Sequence, residues 1–253
     1  MKLLKAMAIA FSIYSKIPVP QFEWKEEDME YMMCFFPWIG GVIGLFFFGW
    51  AVLCEKFAVG NVCYALIGAA IPLMISGGFH VDGYMDTMDA FHSYQSREKK
   101  LEILKDSHIG AFAAIMLALY YMIDIAAISE IHTQKAVSAL AAVFFLARCF
   151  SGIAVMTLQP AKKEGLLYTF ASSAQKVRVK AALYFQAALC VVLMLLVSGW
   201  YGAAAIGAAL LSFFYFKKKS YKELGGITGD TAGFFVTVCE AAAAAAVAVA
   251  GYF

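Results

Sequence analysis

The residues best suited to chemistry lie between Gly77 and Gly110, where acidic and histidine side chains are concentrated. Asp82, Asp86 and Asp89 are spaced i, i+4 and i+7, so a helix would place them on one face. Three like charges on one face repel each other unless a cation lies between them. Carboxylate oxygens in this arrangement suit Mg²⁺ or Mn²⁺, which also bind water and phosphate. The spacing therefore predicts a divalent-metal site, and the competing interpretation is a solvated acidic helix face.

The composition indicates which kind of scaffold must position these acids. The chain has 253 residues, of which 62% are hydrophobic and only 15% charged. Soluble domains have about 45–50% apolar and about 25% charged residues. We therefore expect an all-α, polytopic membrane protein whose residues 1–253 form one membrane-embedded domain. The six cysteines form no CxxC pair and are interpreted as small buried hydrophobic residues.

Apolar length predicts about seven membrane-spanning helices, because a crossing needs about 20 residues. The sequence Ser198-Gly199-Trp200-Tyr201-Gly202 is the only turn signal in a long apolar stretch, so we divide that stretch into a hairpin. The predicted spans lie roughly at 32–54, 61–79, 109–129, 136–157, 181–198, 200–216 and 231–253.

The positions of lysine and arginine predict the orientation in the membrane. With a cytoplasmic N-terminus, 17 of the 20 basic residues fall in cytoplasmic segments and only Lys56 and Lys135 fall outside. Such an asymmetry is typical of the positive-inside rule. We therefore expect a multi-pass protein of the bacterial cytoplasmic membrane, with the segments 80–108, 158–180 and 217–230 facing the cytoplasm. The lipid bilayer is the expected partner, no nucleic acid is expected, and the oligomeric state stays open.

The N-terminal segment contains Lys2 and Lys5 before a short apolar stretch that ends at Lys16. It is too short to span the bilayer, and no small-x-small cleavage site follows it. We interpret it as an interfacial segment. Pro18 and Pro20 then favour an extended chain.

Two segments are predicted to bring helix starts to the same membrane surface. The segment 217–230, KKKSYKELGGITGD, is rich in glycine just before the last span, where Thr228 or Asp230 can cap the helix. The segment 105–110, KDSHIG, enters the third span in a similar way. Backbone N–H groups at helix starts bind phosphate, so these segments and the carboxylates could together hold a diphosphate. The competing interpretation of the glycines is an ordinary loop.

Three ionisable residues, Asp124, Arg148 and Glu240, fall inside predicted spans. Charges at that depth are costly and usually face a partner or a polar cavity. Arg148 could reach substrate phosphate, or it could form a structural pair or snorkel towards the surface.

The sequence resembles a known enzyme family over most of its length. GGFHVDGYMDTMDAF followed by KDSHIGAF resembles the signature of the cobalamin-5′-phosphate synthase family, also called adenosylcobinamide-GDP ribazoletransferase. The family commonly has an arginine near Lys162, and a lysine keeps its charge but not its bidentate fork. Four further pieces appear in the family's order: SKIPVP, FFPWIGGVIGL, Arg148 followed by AKKEGL, and GGITGDTAGF.

The resemblance implies a late step of vitamin B12 assembly. A ribose hydroxyl of α-ribazole or its 5′-phosphate would attack adenosylcobinamide-GDP, and GMP would leave. Family members need Mg²⁺, in agreement with the acidic cluster, because phosphoryl transfer depends on charge neutralisation and positioning.

The resemblance also implies roles for individual residues. His80 or an unligated carboxylate would be the general base. The metal ligands and catalytic acids would be Asp82, Asp86, Asp89 and Asp230, with Asp106 as a further candidate. The residues expected to bind substrate phosphates are Lys105, His108, Arg148, Lys162, Gly226, Thr228 and Gly229.

Two other functions remain as alternatives. A CDP-alcohol phosphotransferase also carries an Asp-Gly…Asp cluster at the membrane surface, but its pattern differs from Gly83-Tyr84-Met85-Asp86. A transporter could use Asp124, Arg148 and Glu240 as an ion pathway, although such proteins often contain inverted repeats, and none is visible in this sequence.

Overall fold

The computed structural model describes the whole chain except Met1, Gln21, Phe22, Trp24 and Lys163. Most of the described residues are helical, with two short 3₁₀ helices (Glu26–Met29 and Met32–Cys34), and they include no strand of a sheet. Lys163, one of the predicted cytoplasmic charges, lies outside the described residues. The α-helices are α1 (Lys2–Tyr14), α2 (Phe36–Phe57), α3 (Asn61–Ser76), α4 (Phe79–His92), α5 (Arg97–Ile103), α6 (Ala111–Ile128), α7 (Gln134–Thr157), α8 (Leu166–Ser173), α9 (Lys176–Ser198), α10 (Trp200–Leu224) and α11 (Gly229–Ala250).

The described helices confirm a polytopic helical membrane protein. Five of them, α2, α6, α7, α9 and α11, are long and apolar enough to cross a membrane. Helices α3 and α4 together could form a sixth crossing, but they are bent by 97° at the break between them. The expected seven crossings and the cytoplasmic N-terminus stay predictions.

Two helices, α3 and α10, account for the difference between the seven predicted membrane crossings and the five or six that the structure supports. Helix α3 has 16 residues, or about 24 Å, whereas the hydrocarbon core of a bilayer is about 30 Å thick. Helix α10 has 25 residues, but its last turns carry the charged sequence KKKSYKE. The hairpin predicted before α10 is present, and Gly199 forms its turn with a φ of 55°.

Helix α1 has 13 residues and is too short to span the bilayer, as the sequence predicts. It buries Ala6, Ile9, Ala10 and Tyr14 against the rest of the protein. Lysines near its start remain partly exposed, so α1 fits the interfacial position expected of it.

Helix α7 lies at the centre of the bundle and is buried along most of its length. It packs against α2, α9 and α11. Gly40 and Gly44 of α2 lie directly against the backbone of α7, where a side chain would collide with Phe144 and Ala141. Small residues commonly allow membrane helices to approach in this way. Helix α11 is the other buried helix, and it also packs against α4 and α10, so it links the centre of the bundle to the acidic segment.

Candidate active site

The break between α3 and α4 sets the direction of the acidic helix. Gly77 and Gly78 have φ values of 65° and 85°, which glycine adopts at little cost. Helix α3 ends at Ser76 and is capped by Gly77, whose backbone N–H donates to the Leu73 carbonyl oxygen at 2.9 Å. The chain then restarts as α4, on which Asp82 is exposed and Asp86 is half-buried.

Helices α4 and α11 approach each other closely beside these acids. A Cβ atom added to Gly83 would lie 2.8 Å from the carbonyl oxygen of Asp230, and one added to Gly233 would lie 3.0 Å from that of His80. The Thr237 hydroxyl donates to the same His80 carbonyl at 3.2 Å. The structure therefore brings the segments of Asp82 and Asp230 together, although 148 positions separate them in the sequence.

A cavity of about 520 Å³ opens at this helix contact. Aromatic side chains of Tyr14, Phe36, Phe79 and Phe170 form part of its wall. These aromatic residues are not among the site residues predicted from the sequence, although Phe36 lies in the FFPWIGG motif. The predicted site residues that line the cavity are His80, Asp82, Lys105, Lys162, Thr228, Gly229 and Asp230.

The carboxylates of this region fall into two groups. Asp86 interacts electrostatically with Asp82, Asp230 and Asp89, so the four acids lie near one another. Asp89, however, accepts hydrogen bonds from the backbone N–H groups of Gly110 at 2.7 Å and Ala113 at 2.9 Å. It therefore caps the start of α6, a role that the sequence analysis did not assign to it.

Asp82, Asp86 and Asp230 are the acids that remain available, and they suit a magnesium ion that is also bound by oxygen atoms of a ligand or of water. Mg²⁺ is usually bound by one or two carboxylates, together with waters and substrate phosphates. Asp82 and Asp230 line one cavity, and Asp86 lies within electrostatic range of both. No three His, Cys, Asp or Glu side chains of the described residues are placed to hold a metal by themselves. A bound ion would thus need phosphate oxygens or water as further ligands.

Two lysine residues, Lys105 and Lys162, line the same cavity as the acids. The Lys162 ammonium donates to the Leu101 carbonyl oxygen at 2.7 Å, and it interacts electrostatically with Asp230. Partial burial lowers the pKa of Lys162, and the positive charge of Lys105 adds to this effect. Lys105 forms an exposed ion pair of 2.7 Å with Glu164, and this pair lowers the pKa of Glu164. The lining of the cavity therefore carries both acidic and basic side chains.

A short contact between two loops positions Lys162 beside the start of α11. Ala161 donates its backbone N–H to the Ile227 carbonyl oxygen at 2.8 Å, and Ile227 donates to that of Gln159 at 3.0 Å. A Cβ added to Gly226 would lie 2.6 Å from the Gln159 carbonyl oxygen. Gly226 does not line the cavity, so the structure gives this predicted substrate-binding residue a packing role.

The start of α11 is capped by Thr228 rather than by Asp230. The Thr228 hydroxyl accepts from the Thr231 backbone N–H at 3.2 Å, and the Thr231 hydroxyl accepts from the Thr228 N–H at 2.8 Å. The Asp230 carboxylate accepts from the Thr228 hydroxyl at 3.4 Å and still lines the cavity. Because the cap does not need it, the Asp230 carboxylate can face a ligand.

Asp106 and His108 lie outside the cavity as an exposed pair. The His108 Nδ1 atom is 2.6 Å from an Asp106 carboxylate oxygen. The hydrogen bond with Asp106 raises the pKa of His108, and the same contact lowers the pKa of Asp106. The structure therefore does not bring these two predicted residues to the acids of α4.

Arg148 lies in the interior of the bundle and not at the cavity. Its side chain is 1% exposed and donates to Glu240 at 2.7 Å and to the Phe144 carbonyl oxygen at 2.8 Å. Arg148 therefore forms a structural ion pair, one of the alternatives that the sequence left open, and Glu240 compensates its buried charge. Direct contact between Arg148 and substrate phosphate would require a different arrangement of this pair.

Comparison with known proteins identifies related sequences over nearly the whole chain. Residues 6–248 match the family model described as cobalamin-5-phosphate synthase. A protein of Lachnoclostridium phytofermentans named adenosylcobinamide-GDP ribazoletransferase is 44% identical over 250 residues, covering 99% of this chain and 95% of its own length. A protein of Clostridium botulinum with the same name is 31% identical and covers 94% of each chain. No solved structure gives a significant match.

Proposed function

The chain belongs to the cobalamin-5-phosphate synthase family, and we propose that it catalyses the reaction after which its relatives are named. As a family member it is a transferase of cobalamin biosynthesis. The proposed reaction transfers the adenosylcobinamide phosphate group from adenosylcobinamide-GDP to α-ribazole or its 5′-phosphate. GMP is released, and a phosphodiester is formed.

The observation that carries this proposal is the cavity that Asp82 and Asp230 line together with Lys105 and Lys162. Its volume of about 520 Å³ falls within the range of small-molecule sites, about 300–1,000 Å³. Carboxylates suit a magnesium ion, and lysines suit the phosphate oxygens of a diphosphate. This combination supports phosphoryl transfer from a nucleotide-activated substrate.

We assign the chemical roles as follows. His80 takes the proton from the ribose hydroxyl as its oxygen attacks the phosphorus on the cobinamide side. The bond between that phosphorus and the GMP oxygen breaks, and Lys105 and Lys162 stabilise the leaving phosphate. Asp82, Asp86 and Asp230 would hold Mg²⁺ (or Mn²⁺), which when bound neutralises charge on the diphosphate.

The two helix starts would contribute to binding rather than to proton transfer. Gly229 is exposed beside the cavity, and apart from its chain neighbours and the adjacent backbone of α11 no described atom would lie within 4 Å of a Cβ added to it. The backbone there can therefore approach a phosphate closely, while Thr228 keeps the first turn of α11 in place. Asp106 and His108 would meet the substrate only at the cavity entrance.

The proposed reaction can be tested with purified protein in lipid nanodiscs. With adenosylcobinamide-GDP, α-ribazole and Mg²⁺, we expect equal amounts of GMP and of a corrinoid with the mass of adenosylcobalamin. The same preparation should release no CMP from CDP-activated lipids. Release of CMP without GMP would favour a CDP-alcohol phosphotransferase, and release of neither nucleotide would refute the proposed activity.

We further propose that the cavity faces the cytoplasm in the bacterial inner membrane. The support is the concentration of lysine and arginine in the segments around it. A membrane-impermeant thiol reagent added outside cells should label a cysteine placed at Gln134 but not one placed at Lys99, in a background without native cysteines. Labelling of Lys99→Cys alone would reverse the proposed orientation.

A further inference from the structure

A second, much smaller cavity lies behind His80, on the side of the bundle interior. It has a volume of about 10 Å³, and both His80 and the ion pair of Arg148 and Glu240 line it. The lining also includes polar side chains of Ser76 and Thr237. His80 thus lines two cavities, the large one that we assign to substrate and this small polar one.

Three buried nitrogen atoms of these residues lack a hydrogen-bond partner among the described residues. They are both ring nitrogens of His80 and the Nε atom of Arg148. The two side chains are deeply buried, with His80 5% exposed and Arg148 1% exposed. An unsatisfied buried polar group costs about 1–3 kcal/mol, so such groups normally have a partner.

The size and polarity of the small cavity suit one water molecule. A water needs a volume of about 10–15 Å³ and two to four polar partners. The cavity has about 10 Å³, and Arg148, Glu240 and His80 offer donors and acceptors around it. Packing alone already restrains the His80 ring, which lies 5.6 Å from the Phe36 ring and is stacked on Tyr14 at 6.1 Å.

We propose that this cavity binds one water molecule that connects His80 to the pair of Arg148 and Glu240, and that the pair thereby positions His80 for catalysis. The water accepts hydrogen bonds from Arg148 Nε–H and from one ring N–H of His80, and it donates to the Glu240 carboxylate. The second ring nitrogen is then unprotonated; it is buried in this structure, and it would meet the ribose hydroxyl once substrate enters the large cavity that His80 also lines. Arg148 and Glu240 are positioning residues that need not touch substrate.

In this arrangement the buried ion pair of Arg148 and Glu240 would set the tautomer of His80 as well as stabilise the packing of the helices. A histidine is an effective base only if the nitrogen facing the substrate carries no proton, and the partner of the other nitrogen determines which tautomer is present. Aromatic contacts can hold the ring plane but cannot select the tautomer. The proposed water supplies that selection if it donates one hydrogen to Glu240 and the other to the hydroxyl oxygen of Ser76, which also lines the cavity, because only its lone pairs then remain for His80.

Arg148→Lys is the variant that tests the bridge. Lysine keeps the positive charge opposite Glu240 but has no Nε–H, so the ion pair can persist while the donor to the water is lost. The matched control is Arg178→Lys, because Arg178 is an exposed arginine that contacts Tyr31.

The first readout is nitrogen NMR of protein labelled with ¹⁵N-histidine, which does not depend on activity. The chain has only four histidines, so His80→Asn identifies the His80 signals. We expect wild-type His80 to be a single neutral tautomer, and Arg148→Lys to shift its ring nitrogens while Arg178→Lys leaves them unchanged. A mixture of tautomers in the wild type overturns the proposal even if Arg148→Lys fails to fold.

The second readout is GMP release, and it rests on the proposed function. We expect Arg148→Lys to lower kcat by about tenfold or more, because general-base catalysis contributes about 10²–10⁴, with the KM for adenosylcobinamide-GDP little changed. In a His80→Asn background the same change should have no further effect, since coupled residues are non-additive. Equal losses in both backgrounds would overturn the proposal, whereas a wild-type protein that releases no GMP would refute only the proposed function.

Discussion

Replacing Gly83 with alanine perturbs the contact on which the proposed site depends. The added Cβ would lie 2.8 Å from the carbonyl oxygen and 2.9 Å from the Cα atom of Asp230, whereas ordinary contacts begin at 3.4 Å. Both obstacles are backbone atoms, so α4 and α11 must separate by roughly half an ångström to one ångström. Overpacking of this kind costs about 1–3 kcal/mol of stability, and a shift of about 1 Å at a reacting centre can cost about 100-fold in rate.

We therefore expect Gly83→Ala to lower the melting temperature by a few degrees and to slow GMP release by about 10- to 100-fold per folded molecule. Gly207→Ala is the matched control, because apart from its chain neighbours and the adjacent backbone of α10 no described atom lies within 4 Å of the added Cβ. Alanine also favours a helix over glycine, so the control should keep the wild-type rate and be at least as stable as the wild type. Wild-type stability and rate in Gly83→Ala would refute the contact between α4 and α11.

Two further substitutions separate the acids by role. Asp89→Asn should destabilise the protein by about 1 kcal/mol, because an amide cannot accept both backbone hydrogen bonds at the start of α6. The Mg²⁺ dependence of GMP release should stay unchanged in this variant. A large shift in that dependence would make Asp89 a metal ligand. Asp106→Asn should lower the pKa of His108 in an NMR titration, because the Asp106 carboxylate now raises it. If protonated His108 assists substrate binding, affinity for adenosylcobinamide-GDP should fall as the pH rises through the raised pKa in the wild type, and at lower pH in the variant. An unchanged His108 titration would contradict that pairing.

The sequence predicted the helices better than it predicted their contacts. Membrane crossings are defined by continuous apolar length, so most predicted spans agree with the observed helices to within a few residues. The hairpin at Gly199 and the cap at Thr228 also follow from local residue preferences. The α-helical spacing of the acids on α4 is a local property as well.

The contacts between distant segments could not be read from local patterns. Asp89 finds its partners 21 and 24 positions later, and Arg148 finds Glu240 92 positions later. Those pairs depend on how helices pack, which one sequence does not specify. The spacing of Asp89 from Asp82 and Asp86 was consistent with a metal ligand and also with a helix cap. The position of Gly110 at the start of α6 shows that Asp89 acts as the cap.

The most direct test of the proposed site is the Mg²⁺ dependence of GMP release in Asp230→Asn. The amide keeps the size of the side chain and can still accept the hydrogen bond from Thr228, so the protein should fold normally. Glu102→Gln, the same loss of charge at an exposed acid outside the cavity, is the control. We predict that Asp230→Asn loses roughly a thousandfold in rate and needs more Mg²⁺, because a metal ligand contributes several kcal/mol to the transition state. A wild-type rate with unchanged Mg²⁺ dependence would contradict a site built jointly by α4 and α11.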